Sequence, residues 1–354
     1  MRIKCYYYVE VSMAKIRQFN ILHFKKVKKM ISYISPDDNL YLNNAILGSV
    51  TDLVQDILPL CFRKSPESYL AINDNDEVKA FITLEATKGN KHKWFIKRLF
   101  LDKNSFTEGK QLIDYVVAKY GALGADTFCV LIDENDDTSA ELFSKMCGFR
   151  LCSREVLWHA DEIGAVKSSY SRENFLTFSN RDRLKVANFF NEAIAPHFRF
   201  SLEKDDTEFY ESFNCGFSKK SHYKMYVPDK KDNIIAYCEL MSQNDTDWIV
   251  DLVVNKPYEN EYFPILTALF DILKKRSKNP NIFVLTRNYL VCAKDFETAL
   301  LENGFKRAQI KMLLVKDFYK PLKDEVSAVN PALIFQEISG KPAFILSDRL
   351  QKTD

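Results

Sequence analysis

Two carboxylates stand where a proton-transfer group is worth seeking. Glu85 ends the run Val78-Lys79-Ala80-Phe81-Ile82-Thr83-Leu84-Glu85, and Asp251 interrupts the apolar run Trp248-Ile249-Val250-Asp251-Leu252-Val253-Val254. A carboxylate in such a run either faces solvent or is buried with a raised pKa, the state suited to acid or base work. Alternation sets Asp251 opposite Val250 and Leu252, which favours the solvent face. Glu85, at a strand end, carries the same two readings. Other chemistries have no motif here. His23, His92, His159, His197 and His222 form no metal-ligand spacing, so no metal is expected. There is no Gly-x-Ser-x-Gly elbow, no Gly-x-x-x-x-Gly-Lys phosphate loop and no His-Glu-x-x-His. The run Lys25-Lys26-Val27-Lys28-Lys29 is a basic helix face, solvated by default and a docking face for an acidic partner only as the minority reading.

These groups must be held by a chain of 354 residues, 46% hydrophobic and 13% aromatic, which is long enough for two cores. Ten glycines and eleven prolines exclude a collagenous or low-complexity chain. Fifty basic against forty-eight acidic residues leave a formal charge of +2, which argues against a dedicated nucleic-acid binder. No apolar run is long enough to span a bilayer, and the start, Met1 to Glu10, has too short an apolar stretch for a signal peptide. Met13 precedes a natural first strand, so the first dozen residues read as an extension or a mis-assigned start. Eight cysteines without a Cys-x-x-Cys, mostly in apolar runs, read as reduced and buried. The expectation is a soluble cytoplasmic protein with no membrane partner.

Short apolar or alternating runs interleave with stretches of helical period, which predicts an α/β protein with a mixed sheet. A strand near Ile16 is followed by a helix, Phe24 to Tyr33, and a less regular one around Ala45 to Cys61. Strands follow at 68–72, 78–85 and 94–101, with Asn73-Asp74-Asn75-Asp76 as a hairpin turn. A helix from Thr107 to Tyr120, a strand at 127–132 and a helix from Ser139 to Met146 come next. Gly148 is placed to end that last helix in a left-handed conformation. A strand, Glu155-Val156-Leu157-Trp158, is expected to close the unit. The same order then recurs: a strand at 175–178 and a helix at 183–193, then strands at 222–227, 234–241 and 248–254. A helix at 262–275, a strand at 282–285, a helix ending at Gly304-Phe305 and a strand at 311–315 complete it. Gly148-Phe149 and Gly304-Phe305 are a domain-sized repeat apart. The expected domains are 14–160 and 172–318, split by the charged connector Asp161 to Asn174. A C-terminal extension, 319–354, has room for a hairpin.

The tract Ala140-Glu141-Leu142-Phe143-Ser144-Lys145-Met146-Cys147-Gly148-Phe149 resembles the last helix of the GNAT superfamily, the acyl-CoA-dependent N-acyltransferases. Phe296-Glu297-Thr298-Ala299-Leu300-Leu301-Glu302-Asn303-Gly304-Phe305 is similar at the same place in the second half. The resemblance implies tandem GNAT-like domains using acetyl-CoA or a related acyl-CoA as co-substrate, the second domain degenerate. The acceptor it implies is a small-molecule or peptide amine.

In that family the coenzyme loop reads Gln or Arg, two residues, Gly, one residue, then Gly or Ala. Small residues there let backbone N–H groups approach a pyrophosphate at a helix N-terminus. The matching tract is Asn104-Ser105-Phe106-Thr107-Glu108-Gly109, followed by Lys110. Gly109 keeps the last small position, Thr107 replaces the middle glycine and Asn104 replaces Gln or Arg. Lys103 and Lys110 can supply charge, and Ser105 or Thr107 is equally an ordinary N-cap. The resemblance places the pantetheine arm on the backbone of Leu99, Phe100 and Leu101, and the pyrophosphate on Thr107, Glu108, Gly109 and Lys110. In the second half the tract Tyr258-Glu259-Asn260-Glu261-Tyr262-Phe263 has no glycine, and its carboxylates oppose a diphosphate. Acyl transfer to an amine needs a base, for which Glu85 is the candidate, and an acid for the leaving thiolate. The family's tyrosine acid falls on Ser144 here and on Leu300 in the second half. Ser144 is a poor acid and reads equally as a helix-surface serine. The alternative function is a catalytically inactive GNAT-like binding or structural protein with decayed acyl-CoA sites. A tandem transferase using aminoacyl-tRNA is a third reading, opposed by the near-zero net charge.

Overall fold

The computed structural model describes residues 14–33, 67–87, 90–102, 105–160, 169–209, 221–242, 246–277 and 279–318. The helix expected at 45–61, Lys103, Asn104 and the tail from 319 lie outside the described residues. Residues to Asp317 group as one compact unit, and the segment from Phe318 as a second, of which Phe318 alone is described.

The strands are β1 (Lys15–Gln18), β2 (Glu67–Ile72), β3 (Val78–Thr87), β4 (Asn90–Leu101), β5 (Thr127–Asp133) and β6 (Arg150–His159). The second half supplies β7 (Leu176–Thr177), β8 (Ser221–Pro228), β9 (Ile234–Ser242), β10 (Asp247–Val254), β11 (Asn281–Arg287) and β12 (Lys306–Asp317). The longer helices are α1 (Phe24–Tyr33), α2 (Phe106–Ala122), α3, α4 (Arg183–Ala193), α5 (Tyr262–Arg276) and α6 (Ala293–Glu302). Helix α3 begins as an α turn, Asp137–Ala140, and continues as a π-helical turn, Glu141–Met146. Gly148 and Gly304 end α3 and α6 at φ +71° and +81°, where a side chain would be strained. Asp76, in the β2–β3 turn, takes φ 60°, a conformation that aspartate tolerates.

All twelve strands form one sheet in the order β1-β2-β3-β4-β5-β12-β6-β11-β10-β9-β8-β7. The expectation that β6 closes the first unit is corrected here. Between β5 and β6 lies β12, antiparallel to both, and β6 pairs on its other side with β11. Each half therefore gives its last strand to the seam, and the order is symmetric about the β12–β6 pair. The sequence pattern is blind to this because both strands are equally apolar and either half offers an open edge.

The exchange also trades core side chains. Trp158 of β6 is fully buried in the second-half core with Leu266, Leu269 and Phe305, and its Nε1 donates to Thr286 Oγ1 at 2.9 Å. Leu314 of β12 lies in the first-half core with Leu112, Val116 and Phe149. That core is built by α2 and α3 on one face of the sheet; α5 and α6 build the second-half core on the same face. On the opposite face, α1 covers Phe81 and Phe100, and α4 covers Tyr226, Tyr237 and Val253. Among the described residues, no helix is long and apolar enough to cross a membrane.

Trp158→Ala removes a large buried side chain, a change that typically costs about 3–5 kcal/mol. Because Trp158 belongs to the first half and packs in the second, calorimetry should show one unfolding transition moving as a whole. Two resolved transitions, one of them unmoved by the substitution, would contradict this.

Candidate functional site

Strands β4 and β5 run parallel and pair from Lys93↔Thr127 to Ile96↔Val130, then part. The separation begins at a β-bulge: Thr83 faces Arg98 but Leu84 faces Ile96, so Lys97 is the extra residue of β4. Beyond it, Arg98 to Leu101 on one arm and Leu131 to Asp133 on the other enclose a wedge. Helix α2 starts at its mouth. The amides of Phe106, Thr107 and Glu108 have no acceptor within the helix, and the Ser105 side chain caps none of them. Thr107 is exposed and Glu108 half-buried.

Gly109 is one step further in. Its N–H already donates to the Ser105 carbonyl at 2.9 Å, and a Cβ built on it would lie 2.7 Å from Leu101 Cδ2. The missing side chain therefore lets α2 seat against β4, beside the wedge, rather than freeing an amide. Lys110 is paired with Asp114 one turn along the helix, which holds its ammonium above the usual lysine range. Leu99 and Leu101 point into the α2 core, and Phe100 packs under α1.

The catalytic candidates are placed differently. Glu85 of β3 faces Phe95 of β4, its carboxylate 3.9 Å from Lys97 Nζ, and Lys97 also lies 5.2 Å above the Phe95 ring. This pair is beside the wedge, on the face not covered by α2. Ser144 is exposed and donates to the Ala140 carbonyl of its own helix. The hydroxyl is thus turned to the backbone, as a helix-surface serine commonly is.

The second half has the same frame with its wedge closed. Strands β10 and β11 pair from Asp247↔Asn281 to Asp251↔Leu285, and β10 carries no bulge against β9. Tyr262, at the start of α5, stacks on Phe296 at 4.1 Å and accepts from the Val254 amide at 3.4 Å. Two buried rings therefore occupy the mouth and take up a backbone donor. One domain repeat earlier the first half has the smaller Ala140 at the place of Phe296.

Asp251 is only 8% exposed, which corrects the solvent-face expectation. Both faces of the sheet are covered here, so alternation carries no inside-or-outside information. Asp251 is ion-paired to Arg287, which also holds Glu155 at 3.3 Å. Beside it, burial pushes the Glu239 carboxyl up. A 2.8 Å hydrogen bond from His222 and the charges of Lys224 and Lys204 outweigh this and hold it below the carboxylate range. Sequence reasoning missed Arg287 and Glu239, whose only signal was charge inside apolar strands.

A groove of about 390 Å³ lined by Asn90, Lys93, Thr127 and Lys204 opens at the opposite end of β4, away from the wedge. Among the described residues, no group of three or more His, Cys, Asp or Glu is placed to hold a metal ion.

Arg287→Ala strands the buried Asp251 and the half-buried Glu155, so a loss of about 3–5 kcal/mol in denaturant unfolding is expected. A loss below ~1 kcal/mol would mean the pairs are solvent-screened. Glu239 has a lowered folded pKa, so its stabilisation is complete above the unfolded value of about 4.3 and disappears as pH falls. Glu239→Gln should therefore flatten the acid limb of a stability–pH profile; an unchanged limb would contradict it.

No protein-family model matches the sequence, and no curated protein matches it. Among solved structures, the chain is similar to a GCN5-related N-acetyltransferase from Sphaerobacter thermophilus, at 12% identity and TM-score 0.54. That match covers 87% of this chain and 96% of that one. A tandem GNAT protein from the clavulanic acid biosynthesis pathway matches at 11% identity and TM-score 0.52, over 87% of this chain and 99% of that one. The chain thus has a GNAT fold, its single sheet built from two halves in symmetric strand order.

Proposed function

We propose that the protein is an acyl-CoA-dependent N-acyltransferase whose first half, 14–160, holds the acyl-CoA. The second half, 172–318, is then a GNAT-shaped partner. The observation that carries this is the contrast between the two wedges. One is bulged and bordered by Gly109 and Ala140; the other is filled by Tyr262 and Phe296. In this reading the pantetheine arm lies along the backbone of Leu99, Phe100 and Leu101. The pyrophosphate takes the open amides of Phe106, Thr107 and Glu108, at the positive end of α2. Lys110 is peripheral to that cradle because of its bond to Asp114.

Acetyl transfer proceeds by direct attack. The amine lone pair forms a bond to the thioester carbonyl, the C–S bond breaks, and the amine proton leaves while sulfur gains one. Proximity supplies much of the rate. Glu85 is the base, acting through water, since it borders the wedge on the face left open by α2. Ser144 serves as acid only after giving up its bond to Ala140. The buried thiols are consistent with a reducing, cytoplasmic setting: burial pushes Cys129 and Cys147 up to about 12 and leaves them protonated. The inactive-binding-protein reading is favoured by one observation, that neither Ser144 nor Lys110 is turned to the wedge.

Calorimetric titration with acetyl-CoA tests the proposal. Thr107 is exposed, so Thr107→Glu adds charge at the helix start without touching the core, and favours the helix by about 0.3–1 kcal/mol. The expected result is one-site micromolar binding weakened at least ~10-fold in Thr107→Glu, about 1.4 kcal/mol, with thermal stability kept. No binding to the wild-type chain would support the decayed-site reading. Gly109→Glu is the poorer test, since its side chain collides with Leu101.

A further inference from the structure

The wedge of the first half is covered by α2 and α3 on one face, so an acceptor must approach from the other. On that face the direct pairings Asp133↔Lys311, Lys311↔Glu155 and Glu155↔Arg287 set four charged side chains in a row across β5, β12, β6 and β11. The row is symmetric about the Lys311–Glu155 pair, but its two ends differ. At the second-half end Arg287, its side chain 12% exposed, lies between Glu155 and Asp251, and the charges are mutually satisfied. At the first-half end, Lys311 is half-buried and makes no hydrogen bond or ion pair within 4 Å among the described residues, although carboxylates flank it on both neighbouring strands. Asp133 accepts from Gln309 at 2.9 Å and from Asn135 at 3.0 Å. Lys97, Phe95, Leu131 and Glu85 complete the half-buried surface between this end of the row and the wedge.

We propose that Lys311, delivered by the exchanged strand β12, binds an anionic group of the acyl acceptor. The acceptor is then a small amino-carboxylate, an amine carrying a carboxylate a few bonds away. The inference rests on the acyltransferase reading and deepens it. The acceptor's ammonium lies toward Asp133 and Glu85, and its carboxylate toward Lys311. A neutral or dicationic amine gives Lys311 no anion within hydrogen-bond reach, since Asp133 and Glu155 flank it without bonding it. Burial pushes the Lys311 ammonium below the usual lysine range, partly offset by Glu155 and Asp133. An arriving carboxylate restores the missing partner. The second half thus contributes a specificity residue to the first half's site, a reason for the exchange beyond stability.

The test uses the full-length chain, acetyl-CoA and paired acceptors: glycine, β-alanine, γ-aminobutyrate and lysine, each against its carboxamide. Released thiol reports transfer, and calorimetry reports acetyl-CoA binding separately. The expected result is a preference of at least ~10-fold in kcat/KM for the free acids, lost in Lys311→Met and kept in Lys311→Arg. Acetyl-CoA affinity should stay unchanged in both. Equal rates on acid and amide, an undiminished preference in Lys311→Met, or no transfer to any acid by a chain that binds acetyl-CoA would each overturn the proposal. Circular dichroism of Lys311→Met separates misfolding from lost recognition, and if that variant misfolds, loss of the preference in the polar, uncharged Lys311→Gln decides. Absence of acetyl-CoA binding in the wild type would instead remove the acyltransferase reading, and this inference with it.

Discussion

The antiparallel pairing of β6 with β12 is the constraint on which the rest depends. Neither strand pairs with any strand of its own half, so the two halves share one sheet and exchange core side chains. A seam made this way buries backbone donors and acceptors that would otherwise form two open edges. It also places charged residues from both halves in register, because antiparallel pairs on one face face each other directly. The buried Arg287 grouping follows from that register: its partners Asp251 and Glu155 come from different halves.

The symmetric strand order gives the chain two wedges, and packing makes them differ. In the first, the bulge at Lys97 turns the β4 arm away from β5, and Gly109 keeps the start of α2 close behind it. In the second, the ladder runs without a bulge and the stacked rings of Tyr262 and Phe296 fill the mouth. An aromatic pair contributes packing and leaves no polar group unsatisfied, so it stabilises the second half. The charges repeat the pattern. They are closed on themselves at the second-half end of the row and left open at the first.

Much of the fold was legible in the sequence. The helices Phe24–Tyr33 and Arg183–Ala193 follow from their periodic apolar faces, and the two Gly-Phe pairs mark helix ends that the left-handed Gly148 and Gly304 confirm. Strand order across the seam was not legible, since β6 and β12 have no feature that names a partner. Asp251 was misread because a sheet covered on both faces removes the meaning of alternation. At the site, Glu85 was expected to end a strand, whereas it lies inside β3, which continues to Thr87. The role of Gly109 was read as amide exposure, whereas its contact with Leu101 shows close packing. Lys311 sits in an ordinary strand pattern, and only the exchange brings it near the first wedge.

The central claim is that one wedge, and not its twin, takes an acyl-CoA. Hydrogen exchange with and without acetyl-CoA tests it most directly, because amides report each wedge separately. The account predicts new protection at Phe106 to Glu108 and along Lys97 to Leu101, with Leu252 to Val254 and Thr286 to Arg287 unchanged. Protection confined to the second wedge, or no change at either, would contradict it.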